Sequence, residues 1–522
     1  MKTIKILTMA ALALLTAACT NDDNDLTTPQ PQQQAEGIPF SATITVDNTA
    51  TTRALAESGT TIEATWADGE KVALIYDAGG TSAKTEAEVT KQTDGTATIS
   101  ATLQSGAVDG SAVTIIYPAT AADGTTGNVK TDLLAAQDGT LTGTSGTSIA
   151  EKYDVRKGTG KLSINGTATV NNGTAGTPVT LTNQNSIFKF TLKDIAGTSD
   201  KAATEFIVKD GSNNVLTTVT PASAMNELYV ALPALAVGTY WFNATVGGKP
   251  YIAKATVSTA TTAGNYYQTQ VNMATLGDLM AANGKFYADA AAITAASTTA
   301  IGVIAYLGTD NFTENGTTVG GNTFAGHGLV LCLKNAASGT EAQWSTEKRT
   351  LELGDDAKVI NVGGLKRTTS VSGYTNTKTL AEKTDAATKY KAAYAAKNYT
   401  GLTAPAGTTG WFLPSAQQWV KMQEGLGGLA ESAIVWGSFN NDHSAAIAWE
   451  TAMAKAGTKG TAYDSMTDAY LWYWSSSENS ADYAVSLGVE ATNTSGDYGF
   501  YWFKFDKDST GDRRRVRPVL AF

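Results

Sequence analysis

The chain has 522 residues, a formal net charge of −10 and only 16% charged residues. One hydrophobic core does not extend over that length, so two to four domains are expected. The acidic balance excludes nucleic acid as a partner, because phosphate binding needs clustered Lys and Arg, while abundant Thr, Ala, Gly and Ser suit a β-rich extracellular protein.

Residues 1–18 carry Lys2 and Lys5, an apolar run from Ile6 to Leu15 and then small residues. This reads as a secretory signal, since the apolar run is too short to span a membrane. Small residues directly before Cys19 predict cleavage and lipidation there; the plainer alternative is ordinary cleavage after Ala18. Residues 19–35 are acidic and then rich in Pro and Gln, the composition of a disordered tether.

From residue 36 the pattern changes to strands. In Ile38–Val46, Phe40, Ala42, Ile44 and Val46 alternate with polar residues, the signature of a half-buried strand. A polar stretch ends at Arg53-Ala54, and Arg53 is the first basic residue after Cys19. Trypsin-like cleavage between Arg53 and Ala54 therefore removes the tether and the first strand together. Further strands are predicted at 61–65, 71–76, 96–103 and 112–117, closing a β-sandwich over residues 36–160. A second sandwich is predicted over 161–275, with strands at 178–181, 186–192, 205–209, 227–232, 239–246, 249–257 and 266–273.

These two modules resemble the fimbrillin superfamily of Bacteroidota pilus subunits. The resemblance rests on Ile38–Val46, Trp66-Ala67-Asp68-Gly69-Glu70-Lys71-Val72, Tyr117-Pro118, Asn185-Ser186-Ile187-Phe188-Lys189-Phe190 and Tyr266–Met273. It implies two transthyretin-like β-sandwiches, export as a lipoprotein, an acidic run after Cys19 that directs display on the outer face of the outer membrane, and cleavage after an arginine that follows the first strand. The partners it implies are other fimbrial subunits donating a strand.

Residues 276–522 form a third, compositionally distinct region holding eight of the ten tryptophans. Strands are expected at 302–307 and 328–333 and a helix at 385–397. In Gly410-Trp411-Phe412-Leu413-Pro414-Ser415-Ala416-Gln417-Gln418-Trp419, Ser415 is a helix N-cap with Gln418 completing a capping box. Trp419, Met422 and Leu426 then share one face. This stretch, Trp474-Ser475-Ser476-Ser477-Glu478 and the terminal Arg515–Phe522 resemble the C-terminal domain of surface lipoproteins in the FISUMP-like family. The resemblance implies an α+β C-type-lectin-like fold, with Val516, Val519 and Phe522 in a closing buried strand. The bland reading makes Trp411, Trp419 and Trp474 core residues and leaves any ligand-binding surface unnamed.

Little in the sequence points to chemistry. There is no phosphate loop, zinc-protease helix or nucleophile elbow, and the chain is read as a non-enzyme without metal or cofactor. Cys332 lies in an apolar run and reads as an inert buried thiol. His443 reads as a polar loop residue, and the spacing of Glu478 and Asp482 does not demand a hydrolytic pair. Arg513–Arg517 reads as a solvated strand edge paired with local acids. The calcium-and-sugar tripeptides of C-type lectins are missing, so that fold does not imply calcium-dependent sugar binding. Two readings follow: a fimbrial subunit with an adhesive head, or a monomeric surface lipoprotein binding glycan or host protein.

Overall fold

The computed structural model describes residues 37–46, 55–59, 61–63, 66–131, 134, 136–143, 145–351, 353, 359–362, 365–368, 372–430, 439–440, 443–467, 471–491, 498–510 and 514–522. Over these residues the protein is mainly β, built from several sheets, with its α-helices in the C-terminal part and single helical turns at Ala119–Ala121 and Ile149–Tyr153.

The first unit contains β1 (Ile38–Val46), the hairpin β2 (Ala56–Ser58) and β3 (Thr61–Glu63), β4 (Lys71–Ala78), β5 (Thr81–Lys91), β6 (Ala97–Leu103), β7 (Ala112–Tyr117), the two-residue β8 (Ala136–Gln137), β9 (Arg156–Asn165), β10 (Thr167–Asn171) and β11 (Val179–Asn183). Eight of these form one sheet in the order β10-β1-β11-β9-β7-β4-β5-β6. Pairing of β1 with β6 closes it into a barrel-like ring, where a β-sandwich was expected. Period-2 alternation explains the interior: Phe40, Ile44, Val72, Leu74, Ile99, Ile115, Leu162 and Leu181 all point into one core with Trp66. In β9, Gly158 and Gly160 sit where an added Cβ would come within 2.6 Å of Thr180 O and 2.5 Å of Asn171 O, so a side chain there would drive β10 and β11 away.

The boundary expected between residues 160 and 161 falls inside β9, which pairs with β7 from Ala112↔Lys161 to Tyr117↔Arg156. Both β10 and β11 also pair in the first ring. The changeover between sheets therefore lies at residues 184–185. Lys161 does not open a new run of strands; it continues the one begun at Arg156.

The second unit holds β12 (Ser186–Asp194), β13 (Glu205–Asp210), β14 (Val215–Val219), β15 (Glu227–Leu232), β16 (Gly238–Val246), β17 (Lys249–Val257) and β18 (Tyr266–Thr275). Their order is β15-β12-β18-β17-β16-β13-β14, with β8 added at the β14 edge. Stacked Phe188, Phe190, Phe206 and Phe242 fill the core.

The third unit comprises β19 (Leu279–Ala281), β20 (Phe286–Tyr287), β21 (Ala300–Leu307), the hairpin β22 (Thr318–Val319) and β23 (Asn322–Thr323), β24 (Gly328–Cys332), β25 (Ala337–Ser338), the hairpin β26 (Val359–Val362) and β27 (Leu365–Thr368), β28 (Phe439–Asn440), β29 (Leu471–Glu478), β30 (Tyr483–Ala491), β31 (Tyr498–Asp506), β32 (Arg514–Val516) and β33 (Val519–Ala521). Its helices are α1 (Ala290–Ala295), α2 (Gly373–Ala381), α3 (Ala386–Lys389), α4 (Lys391–Lys397), α5 (Ala416–Gly425) and α6 (His443–Ala454). A five-stranded sheet, β20-β19-β21-β24-β33, and a six-stranded one, β25-β32-β29-β30-β31-β28, enclose α5 and α6 over a core of Trp419, Trp449, Tyr473 and Trp502. The single helix expected at 385–397 is broken at Tyr390, whose ψ of 53° leaves the helical region. The expected closing strand is likewise two pieces. Pro518 separates them, and β32 belongs to the six-stranded sheet while β33 pairs with β24 of the other.

Candidate functional site

The strand β1 is buried on one face and paired along both edges. Phe40, Ala42, Ile44 and Val46 enter the core, each no more than 6% exposed. One edge runs antiparallel to β6 from Ile38↔Leu103 to Ile44↔Ala97; the other runs parallel to β10 at Phe40↔Ala168 and to β11 from Ile44↔Val179. It is therefore an interior strand of the ring. Burying its three large apolar side chains contributes roughly 1.5–3 kcal/mol each, comparable in total with the whole stability of a small domain. Cys19, Arg53 and Ala54 lie outside the described residues.

The segment just after Arg53 is held by a different unit. Leu55 and Ile62 are buried with Ile149, Tyr153, Ile187 and Ala231, a cluster that spans the first and second units. Between them the β2–β3 hairpin presents Glu57 to the second sheet. Its carboxylate accepts from Lys189 Nζ at 3.0 Å and Tyr229 OH at 2.6 Å on one oxygen, and from Tyr266 OH at 2.9 Å and Gln268 Nε2 at 2.8 Å on the other. Gln268 also donates to Gly59 O at 2.7 Å. The Tyr229 hydrogen bond, with the Lys189 contact behind it, holds the Glu57 carboxyl below the usual range. Lys189, Tyr229, Tyr266 and Gln268 lie on β12, β15 and β18, so residues 55–63 clasp the first unit to the second.

In the third unit the Trp-Phe-Leu-Pro-Ser stretch serves the core. Ser415 accepts from Gln418 N, and Gln418 Oε1 accepts from Ser415 N, completing the capping box. The same Gln418 oxygen accepts from Gly373 N, and its Nε2 donates to Phe312 O and to Glu314 Oε1 at 2.7 Å. Glu314 is fully buried and also accepts from Ser372 Oγ at 2.8 Å and Tyr374 N at 3.2 Å. Desolvation pushes its carboxyl up to about 7. Gln418 thus ties three segments together. Trp411, Trp419 and Trp474 are at most 5% exposed and donate to backbone carbonyls of Leu402, Trp474 and Ala342. They form core and leave no aromatic face open.

The remaining sequence candidates also fall into structural roles. Cys332 is fully buried on β24, and desolvation pushes its thiol up to about 12. Glu478 meets the buried Lys507 ammonium and accepts from Leu351 N at 3.0 Å, so it is occupied within the fold and forms no pair with Asp482. The Arg513–Arg517 stretch is not a solvated edge. Arg517 is fully buried and donates to Cys332 O and Asp464 O. Arg514 is 9% exposed, with its guanidinium 3.6 Å from the Phe505 ring centroid; desolvation lowers it to about 10. Carbonyl oxygens and a ring face take these cations in place of acids, while the Nε atoms of Arg514 and Arg517 are buried without a hydrogen-bond partner. Arg513 and the side chain of His443 lie outside the described residues. Among the described residues no group of His, Cys, Asp and Glu is placed to hold a metal ion, and no helix is long and apolar enough to cross a membrane.

Sequence pattern alone does not reveal the seam where the second unit meets the third. There Trp241 stacks on His327 with ring centroids 3.9 Å apart and 29° between planes. Trp241, Ile252 and Ala274 of the second unit share a buried cluster with Met280, Phe286, Leu520 and Phe522 of the third. Only cross-strand register, which brings together residues far apart in the chain, could have pointed to it.

No family model matches the sequence, and no curated protein does. Among solved structures, the chain is similar to a fimbrial protein from Bacteroides ovatus ATCC 8483, at 15% identity and a TM-score of 0.30, covering 94% of this chain and all of that one. A candidate cell adhesion protein from Bacteroides eggerthii DSM 20697 aligns at 14% identity and a TM-score of 0.26 over 47% of this chain and 88% of its own. The shaft pilin spaA from Lactobacillus rhamnosus GG aligns at 11% identity and a TM-score of 0.20 over 46% and 97%. Scores of this size record a likeness to fimbrial and adhesion proteins and do not by themselves establish a common fold.

Proposed function

We propose that the protein is a non-catalytic, surface-displayed fimbrial subunit that accepts a strand from a neighbour and stands at the tip of the polymer. In this reading Cys19 is lipidated, cleavage between Arg53 and Ala54 frees β1, and a strand from another subunit replaces it. The observation that carries the reading is the double pairing of β1. Its departure opens a slot with unpaired N–H and C=O groups on both β6 and β10–β11, above a core that has lost Phe40, Ile44 and Val46. Such a slot is a template for an incoming strand. The clasp at residues 55–63 supports it, because the new N-terminus would stay tethered to the second unit. At the other end, Val516, Val519 and Phe522 are all but fully buried, so in this reading that segment is held in its own core and is not donated. A subunit that accepts without donating ends a polymer, with the third unit as the adhesive head facing host or bacterial surface protein or glycan.

The second reading, a lipoprotein that stays monomeric and binds through its third unit, is favoured by the closed ring, in which β1 is fully accommodated. Mass spectrometry of the protein taken from cells separates the two. An N-terminus at Ala54 and loss of fimbrial incorporation in Arg53→Ala are expected for strand exchange; an intact residue 38–46 segment in assembled fimbriae would sink it. Immunogold label against residues 280–522 is expected at fimbrial ends only, and label along the shaft would refute the tip position.

A further inference from the structure

A cleft of about 940 Å³ opens at the seam between the second and third units. Its walls are amides, hydroxyls and glycine backbone, including Asn213, Thr239, Asn315, Asn322 and Thr323. Trp241, Phe324 and Phe522 supply an apolar side, and among the described residues Lys254 is the one charged residue lining it. Volume and lining both fit a hydroxyl-rich small ligand.

The electrostatics of the floor are unusual for a chain of net charge −10. Lys209↔Trp241 and Trp241↔Lys254 are directly opposed pairs on β13, β16 and β17, so the three side chains form a row on the face turned to the third unit. Lys254 Nζ lies 5.1 Å from the Trp241 ring centroid, and His327 stacks on the same indole. Lys209 is only 6% exposed and His327 1%. Lys209 is a buried cation, a kind ordinarily matched by a carboxylate, whereas Lys254 beside it is exposed. Among the described residues no acid forms an ion pair with Lys209 or Lys254, and both nitrogens of the His327 ring are buried without a hydrogen-bond partner. Desolvation lowers both lysines, and it takes the imidazole, with the two ammoniums next in effect, down to about 3. Two positive groups and a neutral imidazole thus stand around one indole with no counter-charge, beside a polar cleft large enough for a few sugar rings.

We propose that this cleft binds an acidic saccharide, its carboxylate held at Lys254 in the field of Lys209 and its hydroxyls taken by the amide and hydroxyl walls. The site lies on the seam and does not depend on strand replacement, so it stands or falls separately from the assembly reading.

Calorimetry on the full chain tests it with three carboxylated probes: a galacturonate tetramer, a hyaluronan tetrasaccharide and sialyllactose. The expected result is binding of at least one, weakened tenfold or more by methyl esterification of the ligand and by Lys254→Met, and three- to tenfold by Lys209→Met. Lys254 is exposed, so its substitution leaves the fold intact, and thermal melting verifies both variants. Binding should weaken as salt rises. The proposal is overturned if none of the probes binds, if the ester binds as well as the acid, or if Lys254→Met binds like the native chain. Equally tight binding of a short polyglutamate peptide would also overturn it, since the site would then read charge alone.

Discussion

The first and last described strands of the chain make an instructive pair. Both put apolar residues into a core, but β1 is interior to its ring while β33 is the last strand of the five-stranded sheet. Yet β1 fills a ring whose other members all come from the same unit, and the chain beyond it is held by the second unit through Glu57. By contrast, β33 is locked by contacts that reach across a seam. It pairs with β24 on one side and bridges Phe412 on the other. Arg517 just before it is fully buried, and Phe522 just after it meets Phe286 and Trp241. Loss of a strand whose neighbours all belong to one unit is felt in that unit; loss of one beside a buried cation and an interdomain aromatic is felt across the seam.

Deleting residues 514–522 should break that contrast most severely. It removes Val516, Val519, Leu520 and Phe522 from their cores and Arg517 from its carbonyl partners, a loss of roughly 1.5–3 kcal/mol per large apolar side chain. The third unit is expected to unfold, read as loss of its tryptophan near-ultraviolet dichroism. Deleting residues 37–46 should cost several kcal/mol in the first unit alone. Differential scanning calorimetry is expected to show one early transition with the later ones unmoved, and a simultaneous fall of every transition would count against modular exchange.

A pH series sharpens the same comparison at the seam. His327 titrates near 3 in the folded state against an ordinary 6.5, so the unfolded chain binds the proton first. Its contribution to stability is complete above 6.5 and is lost as pH falls from 6.5 toward 3, with a slope of about 1.4 kcal/mol for each step of one in pH. The substitution His327→Phe is expected to flatten this part of the third unit's acid profile; an unchanged slope would mean the ring is solvated. The clasp gives the smallest effect. Glu57→Ala removes four hydrogen bonds from a partly exposed carboxylate, so about 1–2 kcal/mol is expected in the linkage between the first two units. Faster hydrogen exchange at the amides of the β2–β3 hairpin, without a lower melting point for the third unit, is the measurement that reads it.

Where local pattern decides structure, the sequence was informative. Alternation located β1, β4, β6, β7, β12 and β15–β18, and the Ser415–Gln418 box located α5. What escaped is non-local. β5 is not legible because its inner face is only Ala83, Ala87 and Val89 while Lys84, Glu86 and Glu88 crowd the outer one, a pattern closer to a solvated loop. The ring closure that makes β1 interior depends on pairing partners more than 50 residues away. Arg514 and Arg517 looked solvated because cations next to one another usually are; ring faces and carbonyls that accept them appear only in three dimensions. The Lys209–Trp241–Lys254 row is invisible for the same reason, since each residue sits in an unremarkable strand.

The double pairing of β1 has a mechanical consequence. A force applied along the axis of a strand in that slot loads its hydrogen bonds to β6 and to β10–β11 side by side. They share the load and must fail together, whereas a strand peeled from a sheet edge gives way one bond at a time. A joint of this kind resists tension far better than its equilibrium stability suggests.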